Sequence, residues 1–381
     1  MKIKFLLNSA FPTQKAYGKT TYYSALAATE LGHDVEVWAP KSDIPFPGRI
    51  SFRDTSPSEP IFIEKFSRLR ILRFDKVWFQ LRDWIFPLQV LIGNRSALRN
   101  SILWVRDIPL AIWAKILLRE NQIVLEIHHP PKKINTLAFR MIANNQKVII
   151  STLTQGSASR LKEKYSIGNS VIVSPMAAPR EFFSKSVTNA SKVVTVGYLG
   201  KFTSSGRSNG IENLIKELKI ASDSMPNLRF LFIGIEREYR HVIESLIDNS
   251  QLKEKLKLID HVEGDELFDA LKEIKIGLVP YPDDVYHANR FPIKIVEYAA
   301  LRVAILATDT KAHREILGDD LGYFYDSTIK GSLARRLKEM LIEPELMNEK
   351  RTNARTWAET HTYLSRVQIV IHELEERFRV S

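Results

Sequence analysis

The sequence predicts an α/β protein made of two Rossmann-like domains, and three observations carry that prediction. The chain has 381 residues, too many for one ordinary α/β core and suited to two units of roughly 150 to 200 residues. Short β-branched runs alternate with amphipathic stretches along nearly its whole length, the pattern of βαβ units around a parallel sheet. The alternation pauses between residues 178 and 191, where Pro179 and weak periodicity read as a linker, and then begins again.

In the first half the strand candidates are Ile3–Leu7, Val35–Ala39, Ile102–Val105, Ile123–Ile127, Val148–Ser151 and Val171–Val173. In the second half they are Val193–Leu199, Arg229–Gly234, Leu256–Val262, Ile276–Pro280, Ala304–Thr308 and Tyr323–Tyr325. Helical patterns separate most of them, and Leu333–Leu341 and Thr362–Phe378 close the chain as two more helices. The predicted domains are 1–185, with a C-terminal helix of about 358–381 packing back on it, and 186–357.

Composition narrows the class. A hydrophobic fraction of 44% with 26% charged residues is that of an ordinary globular chain. The formal charge of +11 favours anionic partners such as phosphates, nucleic acid or an anionic membrane. No cysteine is present, which rules out disulfides, thiolate metal sites and a cysteine nucleophile. The N-terminal Met1–Asn8 turns polar too early for a secretory signal, and no apolar run approaches the roughly 20 residues of a membrane span. A cytoplasmic protein is expected, with any membrane contact peripheral, on the inner membrane face.

No Gly-x-Gly occurs, so no dinucleotide fingerprint is available, and the Gly-x-x-x-x-Gly-Lys run of a Walker A loop is absent. No Asp-x-Asp pair occurs either, and no metal or other cofactor is expected. Two segments remain that suit phosphate. The first is the turn after Val193–Leu199, where Gly200, Lys201, Arg207, Asn209 and Gly210 precede a helical pattern from Ile211. Glycines there let backbone N–H groups approach an anion, the helix start adds partial positive charge, and Lys201 and Arg207 add full charges. A solvated loop with turn-forming glycines fits the same residues equally well.

The second segment runs Asn289-Arg290-Phe291-Pro292-Ile293-Lys294-Ile295-Val296-Glu297. Pro292 suits a first helical turn, and Lys294 and Glu297 then share one helix face beside a strand's carboxyl end. There a cation meets phosphate and a carboxylate accepts sugar hydroxyls; a surface ion pair is the plainer meaning of the same spacing.

In this order and after these strands, the two segments resemble the retaining glycosyltransferases of family four, the glycosyltransferase group 1 enzymes with the GT-B fold. Gly18 before Ala27–Val35, Trp104–Asp107, Val124–His129, Leu267–Leu271 and above all Phe291–Asp309 fall in the family's order. The resemblance implies two Rossmann-like domains facing a cleft. It implies that the second domain binds a nucleotide-sugar and the first a glycan or lipid-linked acceptor, with retention at the anomeric carbon, in cell-surface polysaccharide or lipopolysaccharide synthesis. His128, Lys201, Lys294 and Glu297 are the implied catalytic set. Gly200, Arg207, Asn209, Gly210, Gly234, His261, Val262, Asn289, Phe291, Pro292 and Ile293 are the implied donor residues, and Tyr17, Gly18 and Arg106 the acceptor residues. Two departures stand out: Asn289 occupies the place of the family's first glutamate, and Lys201 that of its early arginine.

From 62 to 99 the chain is basic and aromatic, with Arg68, Arg70, Arg73, Arg82, Arg95 and Arg99 among Phe66, Trp78, Trp84 and Phe86. An interfacial helix on an anionic membrane and a helix packed on the sheet both fit it. A sugar-nucleotide epimerase or phosphorylase on the same fold is a rival reading. A non-catalytic binder of membrane or nucleic acid is another, although no nucleic-acid module is recognisable and no nucleic-acid partner is expected.

Overall fold

A computed structural model describes residues 1–13, 15–44, 48–56, 75–132, 134–185, 193–204 and 206–379; at 75–82, 289 and 378–379 the description covers the backbone alone. The chain divides into two compact units, Met1–Pro175 with Tyr363–Ser381, and Met176–Thr362.

The first unit is built on seven parallel strands: β1 (Lys2–Leu6), β2 (Asp34–Ala39), β3 (Ser51–Asp54), β4 (Ile102–Val105), β5 (Ile123–Glu126), β6 (Val148–Thr152) and β7 (Val171–Val173). Their order is β3-β2-β1-β4-β5-β6-β7, a doubly wound sheet whose direction reverses between β1 and β4. Every residue of β4, β5 and β6 is buried, which is why Ile102–Val105, Ile123–Leu125 and Val148–Ile150 read as unbroken apolar runs. The polar β3 lies at the edge with one half-buried residue among exposed ones. It carries no apolar run and was not predicted. The C-terminal helix Tyr363–Arg379 packs on the first helix, Ala16–Glu30, and Tyr363 stacks on Tyr23 with centroids 5.2 Å apart.

The second unit repeats the plan with β8 (Val194–Leu199), β11 (Leu228–Ile233), β12 (Leu256–Ile259), β13 (Ile276–Val279), β14 (Ala304–Thr308) and β15 (Tyr323–Tyr325). All neighbours are parallel, in the order β12-β11-β8-β13-β14-β15. A separate two-residue ladder, β9 (Thr203–Ser204) with β10 (Arg207–Ser208), stands beside it.

The boundary differs from the predicted 185/186. Ala178 donates its N–H to His361, and Phe182, 5% exposed, meets the edge of Phe268 at 4.8 Å. Burying that phenyl ring ties residues 178–185 into the second unit, so the segment expected as a linker is in its first part a packed piece of the domain. Among the described residues no helix is long and apolar enough to cross a membrane.

Candidate functional site

In the second unit the sheet reverses between β8 and β13, and the chain gathers its unusual residues at the carboxyl ends of those strands. The turn after β8 is more than a glycine loop. It folds back as the β9–β10 hairpin, and internal hydrogen bonds fix it. The Tyr198 hydroxyl and the Asn209 side-chain amide both donate to the Lys201 carbonyl at 2.8 Å, and the amide also reaches the Ser204 hydroxyl at 3.1 Å. Asn209 is 1% exposed, so its side chain serves the loop and is not open to a donor. Gly210 then caps the helix Ile211–Ser224 with φ of 86°. A Cβ there would stand 2.1 Å from the Pro280 carbonyl oxygen just beyond β13, so only glycine permits the helix start and the strand end to meet.

Lys294 lies in the first turn of the helix Ile293–Ala300 and is 6% exposed. Its Nζ sits 3.8 Å above the Tyr198 ring and 4.8 Å from Tyr281, and among the described residues it has no hydrogen-bond partner. Gly200, at φ of 139°, leaves the space: a Cβ at that position would be 3.0 Å from the ammonium. Burial, aggravated by Arg290, holds the Lys294 pKa well below the usual lysine range. Two aromatic faces partly compensate the cation, but a buried ammonium short of acceptors is a site prepared for an anion.

Two further cations frame it. Arg290 stands 5.2 Å from Tyr281 and 5.1 Å from Tyr286, and Arg207 covers Tyr286 at 5.1 Å. The 284–290 turn that carries Arg290 is tied by Asp284, whose Oδ1 accepts the N–H groups of Tyr286 and His287 at 2.8 and 2.7 Å and faces His287 Nδ1 at 2.9 Å. Neither Arg290 nor the aromatic trio Tyr198, Tyr281 and Tyr286 stood out in the sequence. The four-residue spacing of Arg290 and Lys294 was the available signal.

The remaining donor candidates scatter. Glu297 is half-buried one turn beyond Lys294, and Lys201 is exposed after β8. Gly234 follows β11 with φ of 88°. His261 pairs with Glu263 at 3.1 Å on the loop after β12, with Val262 beside it, at the sheet edge two strands from β8. Pro292 is the residue before the helix, not in its first turn, and Ile293 begins it. Phe291, 7% exposed, stacks on Trp357 and so serves packing. Asn289 closes a short 3-10 turn.

In the first unit three predicted residues meet. Arg106, just beyond β4, donates to His128 Nδ1 at 2.7 Å and to the Tyr17 carbonyl at 3.4 Å. Tyr17 thus joins through its backbone, its hydroxyl donating to the Ala10 carbonyl at 3.1 Å. Gly18, buried, gives room to Thr13, whose carbonyl oxygen would lie 2.7 Å from a Cβ. Behind His128 is a pair that the sequence did not single out. Glu126 at the end of β5 accepts from Arg366 of the C-terminal helix, and the two side chains are 5% and 1% exposed. Glu126 Oε2 is 3.8 Å from Arg106 Nε and 3.7 Å from His128 Nε2. The cationic neighbours hold the Glu126 carboxyl far below its usual range despite burial. Burial and Arg106 push His128 down to about 3. His129, its neighbour, is exposed.

Residues 179–357 match the family described as glycosyl transferases group 1. No curated protein sequence matches the chain. Among solved structures it is similar to sucrose-phosphate synthase from Thermosynechococcus elongatus, at 14% identity over 100% of both chains with a TM-score of 0.75. It is similar to a glycosyltransferase from Rickettsia africae, at 14% identity over 100% of this chain and 99% of that one, TM-score 0.74. It is also similar to HepE from Anabaena in complex with UDP and glucose, at 14% identity over 98% and 99%, TM-score 0.71.

Proposed function

We propose, on the premise that residues 179–357 belong to the glycosyl transferases group 1 family, that this protein is a retaining, metal-independent hexosyltransferase using a nucleotide-sugar donor. The observation that carries the reading is the buried Lys294 ammonium, without a hydrogen-bond partner among the described residues and set beside Gly200 at the reversal of a Rossmann sheet. A nucleoside diphosphate supplies the missing acceptors.

On this reading the bond from the anomeric carbon to the donor phosphate breaks and a bond to an acceptor hydroxyl forms on the same face. The hydroxyl proton leaves with the diphosphate. The protein's part is to stabilise charge growing on the departing oxygens with groups already in place. Lys294, Arg290 and Arg207 supply three positive charges and the start of the Ile211–Ser224 helix a partial one, which accounts for a diphosphate without a cation from solution. Lys201, exposed after β8, is a fourth candidate. Glu297 is assigned to the ribose.

The acceptor, a glycan or lipid-linked sugar of cell-surface polysaccharide or lipopolysaccharide synthesis, is assigned to the first unit's strand ends, where Arg106 and His128 lie. Such an enzyme works in the cytoplasm, at the inner membrane face.

A thermal-shift screen against UDP, GDP, ADP and their sugar conjugates, with EDTA and with magnesium, tests the donor assignment, since a ligand of the folded state raises its stability. UDP comes first, because HepE was solved with UDP and glucose. A metal-independent rise with one base is expected; no rise with any nucleotide at millimolar concentration overturns the reading. Release of free sugar or transfer to an acceptor, without conversion of the donor to an isomer, separates transfer from epimerisation.

A further inference from the structure

We infer that the outer face of the helix Ile134–Ile142 is a docking surface for an anionic membrane interface. The helix covers the first unit's sheet after β5 and packs beside the helix Ile108–Leu117. Its inward side is accounted for: Ala138, Phe139 and Ile142 are 6%, 0% and 3% exposed. Its outward side should then be polar. Instead Ile134, Leu137 and Met141 are 58%, 65% and 70% exposed, and at 100° per residue they share an arc of about 60°. Ile116 on the neighbouring helix is 46% exposed. Single exposed apolar residues need no explanation, but a stripe of three aligned on one helix marks a surface that something covers.

Charge identifies the occupant. From Ile127 to Lys162 the sequence has no Asp or Glu, while it carries Lys132, Lys133, Arg140, Lys147, Arg160 and Lys162. Lys147 pairs with Glu120 at 2.6 Å, and Lys132 and Arg140 remain as exposed cations on the segment of the stripe. Apolar side chains beside exposed cations suit a bilayer surface, where the former enter the acyl boundary and the latter meet anionic headgroups.

The basic segment 62–99 is another stretch of the sequence, of which 62–74 lie outside the described residues. In the described remainder Trp84 and Phe86 turn inward: the Trp84 ring meets the Trp113 ring edge-on with centroids 6.4 Å apart, and Phe86 is 7% exposed. The inference does not rest on the proposed reaction.

Co-sedimentation with vesicles of phosphatidylcholine containing about a third phosphatidylglycerol, compared with phosphatidylcholine alone, tests it. Wild-type protein is expected to partition onto the anionic vesicles, less so as salt rises. Leu137→Gln with Met141→Gln should weaken partition by about tenfold or more. Lys132→Gln with Arg140→Gln should weaken it at least as much and flatten the salt dependence. All four side chains are exposed, so the unfolding temperature should hold in both variants. Wild-type protein that stays off anionic vesicles, or a Leu137/Met141 variant that binds like wild type, overturns the inference. So does a wild-type dimer that the same variant converts to monomer, because a second copy would then be the occupant.

Discussion

Arg106 donates from its guanidinium to Nδ1 of His128 across 2.7 Å. Since arginine can only donate, Nδ1 must be the ring's lone-pair nitrogen and the proton must sit on Nε2. His128 is therefore neutral in the folded protein, and a second proton would face a buried guanidinium.

A pH prediction follows directly. His128 titrates near 3 when folded and near 6.5 when unfolded, so between those values the unfolded chain binds the additional proton. Its neutral form stabilises the fold above about pH 6.5, and that stability is lost as pH falls toward 3. Denaturant unfolding at pH 7 and pH 5 should show wild type losing stability with a slope of up to one proton, about 1.4 kcal/mol per pH unit. His128→Gln should show a visibly shallower slope; an unchanged slope would mean that the ring titrates normally.

Lys294→Ala should abolish the thermal response to nucleotide diphosphates and lower turnover by at least about a hundredfold, as loss of one charge-stabilising donor does. Because removing a buried cation that has no hydrogen-bond partner among the described residues also removes a desolvation cost, the unfolding temperature should stay level or rise. A variant that keeps wild-type nucleotide binding would sink the donor assignment.

Gly210→Ala places a methyl group against the Pro280 carbonyl at a left-handed backbone position. The expected cost is about 2 kcal/mol or more in stability, together with weakened nucleotide binding as the helix start moves from the strand end. Asn209→Ala should act the same way, through loss of its ties to Lys201 and Ser204. If either variant were as stable as wild type, the loop would not have the form described.

Arg366→Gln removes the nearer of the two arginines that face buried Glu126, leaving Arg106 at 3.8 Å, and should cost about 3 kcal/mol or more. Adding Glu126→Gln should cost less than it does in the wild-type background, because its strongest partner is already gone. Additive losses in the double variant, read from denaturant unfolding of all four proteins, would show that the two groups are not coupled.

Strand and helix identity were legible because a parallel sheet covered on both faces demands unbroken apolar strands, as in Ile102–Val105 and Ala304–Thr308, whose limits the sequence marked without error. The edge strand Ser51–Asp54 escaped notice because a strand half open to water needs no such run. The segments around Gly200–Gly210 and Arg290–Glu297 were also legible, since glycines, cations and a proline just before a helix leave local marks.

The sequence by itself determined two Rossmann-like sheets, the succession of their buried strands and the resemblance to group 1 glycosyltransferases. Only the tertiary structure decided which side chains meet. It turned Asn209 and Phe291 inward, set Lys294 between two tyrosine rings, and brought Arg366 to Glu126 from 240 residues along the chain. Periodicity is a property of neighbouring residues and survives in a string of letters, whereas burial of a charge and the identity of its partner are set by packing between distant segments.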